Sequence, residues 1–343
     1  MNPSNWTFAG IIVLTLLFIM RPGCDAPRSG DIPVRDYYPP NQTEAPTVFQ
    51  NNTRYPNGGF AQQTANSNFL TPSTVIIGSF NIQSFGPTKA SRQHVMSRLV
   101  DVARRYDLLA IQELRNEDQH VIEEFAKQIN ADGSRYSYII GPRQGYTHQK
   151  EQYAFLFDAA KFRLISPQPY AISDPRGTMH RPPLIASFQC TQAPNGDGFS
   201  FTALNLHIDP DVVDQELAAL RNFMPAVFKH HSGEDDFLIM GDFNDSEKGI
   251  QQFQFLQNQL PLVRSNWSTK IRTRRSIDNI IIDGARTAEY ANQSGVLNLQ
   301  QQYQLSAEQA LEISDHHPVW GVFSTVESQD RIVQDNRNRQ AAR

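Results

Sequence analysis

The chain has 343 residues, 39% hydrophobic and 19% charged, enough apolar material for a sizeable core, which excludes a wholly disordered protein. Its formal net charge of -4 excludes a protein that coats nucleic acid by bulk electrostatics. It does not exclude an enzyme that needs carboxylates for a divalent cation.

In chain order, Phe8 to Met20 reads FAGIIVLTLLFIM, an uncharged apolar run short for a membrane span and right for the hydrophobic region of a signal peptide. Residues 1–24 are therefore expected to direct export. Gly23-Cys24 is similar to the end of a bacterial lipobox, in which Cys24 would be acylated and tether the chain to a membrane. Arg21 and Pro22 fit that box poorly, and an ordinary cysteine in a cleaved leader is the alternative. Residues 25–72 are rich in Pro, Asn, Gln, Thr and Gly and are expected to be a linker. The segment 327–343 reads as a solvated polar tail.

Between them, 73–326 is expected to be one domain. Thr74 to Asn81 is a β-branched run that delivers Asn81 to a sheet edge. Val95, Leu99, Val100 and Ala103 recur at helical spacing, and the strand Leu108 to Gln112 then runs into Glu113. Leu184 to Cys190 reads as a strand with Cys190 as a small buried hydrophobe; with Cys24 the only other cysteine, a disulfide framework is excluded. Phe201 to Leu206 runs into His207, and Phe237 to Met240 runs into Gly241-Asp242-Phe243-Asn244. Ile277 to Ile282 carries Asp278, and Ser314-Asp315-His316-His317-Pro318 precedes the strand Val319 to Phe323.

One strand-end Asn or Asp is ordinarily a turn or cap residue. Six strand ends mixing Asn, Glu, Asp and His are hard to explain as turns. They supply hard oxygen ligands for a divalent cation and two histidines able to move protons near neutral pH. The absence of cysteine ligands points to Mg²⁺ or Mn²⁺ and away from a closed zinc cage. Phosphodiester hydrolysis is the natural reaction; neither a G-x-S-x-G elbow nor a P-loop is present.

SFNIQSFG, IQELRN, LNLHIDP, GDFN, SIDNIII and SDHHPV resemble, in order, the motif series of the endonuclease/exonuclease/phosphatase superfamily. Within it, KEQYAFLF from Lys150 and MHRPP from Met179 resemble segments of deoxyribonuclease I. That resemblance implies an α/β fold, a four-layer αββα sandwich of two packed mixed β-sheets with the site at one rim. It implies metal ligands Glu113 and Asn81, and the acid/base pairs His207 with Glu151 and His316 with Asp278. Asp242 and Asn244 would position the phosphate or a second ion, and Asp315 would complete the site. Arg181 would clamp a phosphate oxygen and Arg115 would enter the minor groove of duplex DNA.

The sequence also departs from that branch. Gln149 stands where the family has a DNA-contacting tyrosine, and 173–179 does not reproduce the family's calcium loop, leaving only Asp174 as a structural Ca²⁺ ligand. His317 reads as a neighbour of the site, and His94, His120, His148, His230 and His231 as solvated surface side chains. The reading is an exported, sequence-non-specific DNA endonuclease with no protein partner evident. The alternative is a phospholipid or inositol-phosphate phosphodiesterase, against which stands the lack of a long apolar hairpin.

Overall fold

Period-two alternation in two sets of strands sorts the apolar residues onto three faces. A computed structural model describes residues 34–35 and 74–328, apart from 116, 118–119, 147–149 and 194–196. The leader with Cys24, nearly all of the expected linker, Gln149 and His148 lie outside the described residues. One sheet has the order β1 (Val34–Arg35), β4 (Tyr136–Ile140), β5 (Gln152–Asp158), β3 (Leu108–Leu114), β2 (Thr74–Phe85), β13 (Val319–Ser324), β12 (Tyr290–Val296). The other has β10 (Gln259–Pro261), β11 (Asp278–Asp283), β9 (Phe237–Asp242), β8 (Ser200–His207), β7 (Leu184–Cys190), β6 (Phe162–Ala171). Thus two residues inside the expected linker, those of β1, form an edge strand.

Each sheet is mixed. β2 and β3 are parallel across α2 (Gln93–Ala103), β8 and β9 are parallel across α4 (Val213–His230), and the other pairs are antiparallel. In β2, Val75 and Ile77 face the second sheet, while Phe80 and Ile82 face α2 and α3 (His120–Ile129). In β8, Phe201 and Ala203 face the first sheet, while Leu204 and Leu206 pack with Leu217 and Leu220 of α4. The result is the expected four-layer sandwich of helices, sheet, sheet, helices. Aromatic rings cluster within its middle layer: Phe188 meets Phe155, Phe157 and Phe201 with ring centroids 5.5, 5.5 and 5.7 Å apart.

The same parity decides where the polar strand ends point. Asn81, Gln112, Asn205, His207, Asp242 and Asp278 all fall on the between-sheet side of their strands, at the end where both parallel pairs stop. Gln112 Nε2 donates to Asn205 Oδ1 at 2.7 Å and to Ser79 Oγ at 3.0 Å, joining the sheets beneath this rim. Asn205 Nδ2 donates to the carbonyls of Ala154 and Ile111 at 2.9 and 3.1 Å. Buried bonds that cross between the sheets fix their relative position.

At the opposite end of β9 three acids are buried together: Asp236, Glu289 and Glu327. Glu327 therefore belongs to the folded domain and not to a polar tail; it accepts from the Ser200 amide at 3.1 Å. Burial first, then the charge of Glu289, pushes the Asp236 carboxyl up to about 9, and burial with Glu327 pushes Glu289 up to about 7. Carboxyls whose folded values lie above their unfolded ones stabilise the fold fully below the unfolded value, and this is lost as pH rises through the folded values. In metal-free buffer the melting temperature is expected to fall between pH 5 and pH 9, and less so in Asp236→Asn. A wild-type melting temperature constant over that range would contradict this.

Candidate active site

Strand register builds the centre. Asp242, last in β9, is the partner of His207 in β8 on one side and of Asp278 in β11 on the other. Gly241 makes this pairing possible: its φ is +147°, and a Cβ there would stand 1.9 Å from the Leu206 carbonyl oxygen. The next turn is held by Asn244 at φ 51°, whose amide donates to Asp242 Oδ1 at 2.9 Å and whose side chain donates to the Ile208 carbonyl at 2.7 Å. Asn tolerates this left-handed backbone better than most residues.

Both histidines aim at one oxygen. His207 Nδ1 lies 3.0 Å from Glu151 Oε2, leaving Nε2 3.7 Å from Asp242 Oδ2. His316 Nδ1 lies 2.8 Å from Asp278 Oδ2, leaving Nε2 3.5 Å from the same Asp242 Oδ2. Each carboxylate accepts an Nδ1 proton and so fixes the tautomer. Burial opposes the charged form of His316, but the charges of Asp278 and Asp242 outweigh it and push its pKa up to about 9. His207 is raised likewise, burial being outweighed by its Glu151 hydrogen bond and the charge of Asp242. Asp242 is itself raised, by burial and by the charge of Asp278.

The first sheet contributes the candidate metal ligands. Asn81 Nδ2 donates to Asp242 Oδ2 at 3.1 Å, while its buried Oδ1 has no hydrogen-bond partner among the described residues. Glu113 follows Gln112, the register partner of Asn81. Alternation would turn Leu114 between the sheets, but Leu114 packs on the helix side with Leu109 and Ile111. Glu113, at φ 62°, is thus the extra residue of a bulge, which re-aims its carboxylate at the rim. Its Oε2 accepts from the Ser84 amide at 2.8 Å and from Arg115 at 3.0 Å. A buried carbonyl oxygen without a donor, on the strand paired with the one that carries the Glu113 carboxylate, fits a hard divalent cation. Asp242, Asp278 and His316 also offer ligand atoms within 4.8 Å of one another.

The arginines take distinct places. Arg115 donates to Glu151 Oε1 at 2.8 Å as well as to Glu113, tying the candidate metal ligand to the His207 pair. Arg181 Nε donates to the His207 carbonyl at 3.3 Å and stands 3.6 Å from Glu151 Oε2. Asp315 gives one oxygen to the chain and keeps the other: its Oδ2 holds Lys270, while its buried Oδ1, 3.6 Å from His316 Nε2, has no hydrogen-bond partner among the described residues.

The chain's sequence matches the Endonuclease/Exonuclease/phosphatase family over residues 78–316, a span containing every candidate site residue. It belongs to that family. Among family members, rat (Rattus norvegicus) deoxyribonuclease gamma is 28% identical over 260 residues, covering 70% of this chain and 82% of that one. Rat deoxyribonuclease-1 is 29% identical over 260 residues, covering 72% and 90%. A structure of D. rerio TDP2 complexed with single strand DNA product superposes with a TM-score of 0.53 at 16% identity, covering 74% of this chain and 100% of that one.

Several residues that serve this family site carry weak sequence signals. Gln112 and Asn205 are polar positions inside apolar strands, a usable cue. Tyr153 accepts from the His207 amide at 2.9 Å and donates to the Arg181 carbonyl at 3.1 Å. Glu216, fully buried in the first turn of α4, accepts from the amides of His180 and Asp209 at 2.6 and 2.8 Å, which places Arg181. Lys89 donates to the Ile313 carbonyl at 2.7 Å and, being half-buried, is pushed down to about 8 by desolvation against the pull of Glu113 and Asp315. Asp174 accepts from Thr178 Oγ1 and the Met179 amide at 3.0 and 2.8 Å, so it caps its own loop.

One surface assignment is corrected. His231 is buried, with Nε2 3.1 Å from Tyr170 Oη and Nδ1 3.1 Å from Ser187 Oγ, and burial pushes it down to about 4. The chain leaves α4 at this residue and turns the ring under the sheet. His317 is a neighbour as expected: buried, its Nδ1 accepts from the Leu299 amide at 3.2 Å.

Proposed function

We propose that this chain is an exported, divalent-metal-dependent endonuclease that cuts double-stranded DNA with little sequence preference. The observation that carries the reading is the convergence of two His–carboxylate pairs on Asp242 Oδ2, one from each side of β9. A Mg²⁺ or Mn²⁺ ion at Asn81 and Glu113 would polarise the scissile phosphate and offset the charge that grows on it. The residues do the remainder. With the Nδ1 proton held by its carboxylate, each imidazole exchanges a proton at Nε2: one, starting neutral with Nε2 unprotonated, takes the proton of the attacking water, and the other, starting protonated, gives one to the leaving oxygen. Asp242 between them favours the imidazolium that is present at the outset on the acid's side and is formed in the step on the base's side, and Arg181 offers its fork of donors to a phosphate oxygen.

DNA as substrate is supported by the kinship with deoxyribonucleases and by Glu151, Arg181 and Arg115 acting as one connected group. The phospholipid reading loses ground because the exposed large hydrophobics among the described residues are only Tyr146 and Leu260. Export rests on the apolar run Phe8 to Met20 and a membrane tether on Cys24; intact-mass analysis of the mature protein tests both.

Arg115 tests the duplex assignment. If it lies against the minor groove, Arg115→Ala lowers kcat/KM on duplex DNA about tenfold more than on a small phosphodiester such as bis(p-nitrophenyl) phosphate. Equal losses would confine Arg115 to holding Glu113 and Glu151. A parallel sphingomyelin assay that shows turnover without nicking of plasmid would transfer the site to lipid.

A further inference from the structure

Lys270 sits in the loop between β10 and β11, and its backbone is stitched to the segment that carries His316. The Ile271 amide donates to the Asp315 carbonyl at 2.9 Å, the His317 amide donates to the Thr269 carbonyl at 2.7 Å, and Lys270 and His316 form an antiparallel bridge. The loop is closed on itself by the amides of Thr269 and Lys270, which both donate to the Arg275 carbonyl at 2.9 and 3.0 Å. Lys270 therefore cannot swing away without disturbing His316.

Its ammonium donates to Asp315 Oδ2 and lies 3.0 Å from His316 Nε2, the nitrogen that faces Asp242. An ammonium has three donors. One goes to Asp315 Oδ2, a second reaches His316 Nε2 only while that nitrogen is unprotonated, and with 19% of its side chain exposed Lys270 keeps at least one donor for a further acceptor. A lysine recruited only to neutralise an acid would serve as well on the outer surface. This one places its ammonium beside the Nε2 of a catalytic pair and holds one oxygen of Asp315, one of the expected metal ligands, whose other oxygen is buried with no hydrogen-bond partner among the described residues.

We infer that Lys270 is a phosphate-binding residue: its ammonium receives a non-bridging oxygen of the scissile phosphodiester, supplying on the Asp315 side the positive charge that a second metal ion would otherwise bring. The inference deepens the phosphodiesterase reading and rests on it. It makes the Asn81–Glu113 position the single divalent requirement, with the other half of the clamp built from the chain itself. A lysine suits this task as a compact point charge, whereas an arginine would offer a longer planar fork that fits the same space poorly.

The test uses the full chain and Lys270→Ala, Lys270→Gln and Lys270→Arg, with inorganic phosphate as the probe. In metal-free buffer, phosphate raises the melting temperature of the wild type. The Ala and Gln variants lose most of that rise while their melting temperatures without phosphate stay close to wild type. On a small phosphodiester in Mg²⁺, kcat falls about a hundredfold in Lys270→Ala, the inhibition constant for phosphate rises about tenfold, and Lys270→Arg recovers part of both. Wild-type activity rises with Mg²⁺ along a single-site curve. If Lys270→Ala is too unstable to assay, Lys270→Gln gives the same readouts with the side-chain bulk kept.

Phosphate stabilisation and inhibition unchanged in Lys270→Gln would overturn the inference, as would a wild-type curve requiring two Mg²⁺ ions. The outcomes separate from those for DNA. Lys270-dependent phosphate binding in a protein that fails to nick plasmid overturns the DNA reading alone, and intact nicking with indifferent Lys270 variants overturns this one alone.

Discussion

Replacing either His207 or His316 with alanine is expected to lower plasmid nicking about a thousandfold, without a matching loss of stability. Each imidazole faces Asp242 from its own side, held there by a buried carboxylate at 3.0 Å or less. The losses are expected not to add: with one carrier gone the other has no partner step, so the double variant falls little below the worse single one. Glu151→Gln and Asp278→Asn should lose less than the matching alanine variants, because the imidazole stays in place while its tautomer and charge are no longer fixed. Steady-state nicking rates on supercoiled plasmid, beside urea titrations of the same samples, check this. Undiminished cleavage by His207→Ala would sink the two-pair mechanism.

The largest expected effect on stability comes from Gly241→Ala. The new methyl group would stand 1.9 Å from the Leu206 carbonyl oxygen and 2.9 Å from its carbon, both backbone atoms, at φ +147°. The clash falls between β8 and β9, where Leu206 and Gly241 are register partners, one residue before His207 and Asp242. Relief requires the two strands to part at the active-site rim, so a loss of about 3 kcal/mol or more is expected in urea unfolding. Gly233→Ala is the control: nothing lies within 4 Å of its added Cβ, and a change within about 0.5 kcal/mol is expected. Near-equal stability of the two variants would mean that the β8–β9 pairing yields more readily than the register indicates.

The centre of the site was legible because strand periodicity carries direction as well as burial. Asn81 within β2, and His207, Asp242 and Asp278 at the ends of their strands, share the parity of the between-sheet residues, so the pattern that builds the core also sorts the chemistry onto one side. Glu113 was legible as a residue but not as a geometry. It owes its direction to a bulge at φ 62°, which the alternation of LLAIQEL does not announce.

What escaped the sequence escaped for specific reasons. Lys270 lies in a loop with no periodicity, and its role depends on backbone pairing with residues more than forty positions away. His231 follows a helix whose exposed face predicts an exposed ring, yet the helix ends one residue earlier. Glu327 reads as the start of a polar tail because its partners Asp236 and Glu289 are distant in sequence. Long-range pairing of polar groups leaves no local signature, whereas apolar alternation does.

The central claim is metal-dependent hydrolysis of DNA at the Asp242 rim. Its most direct test is conversion of supercoiled plasmid to nicked circle by the wild-type chain in Mg²⁺, in Mn²⁺ and in excess chelator. Nicks are expected at many unrelated positions in both metals and none in chelator. Cleavage that persists in chelator, or an absence of nicking beside turnover of another phosphodiester, would contradict it.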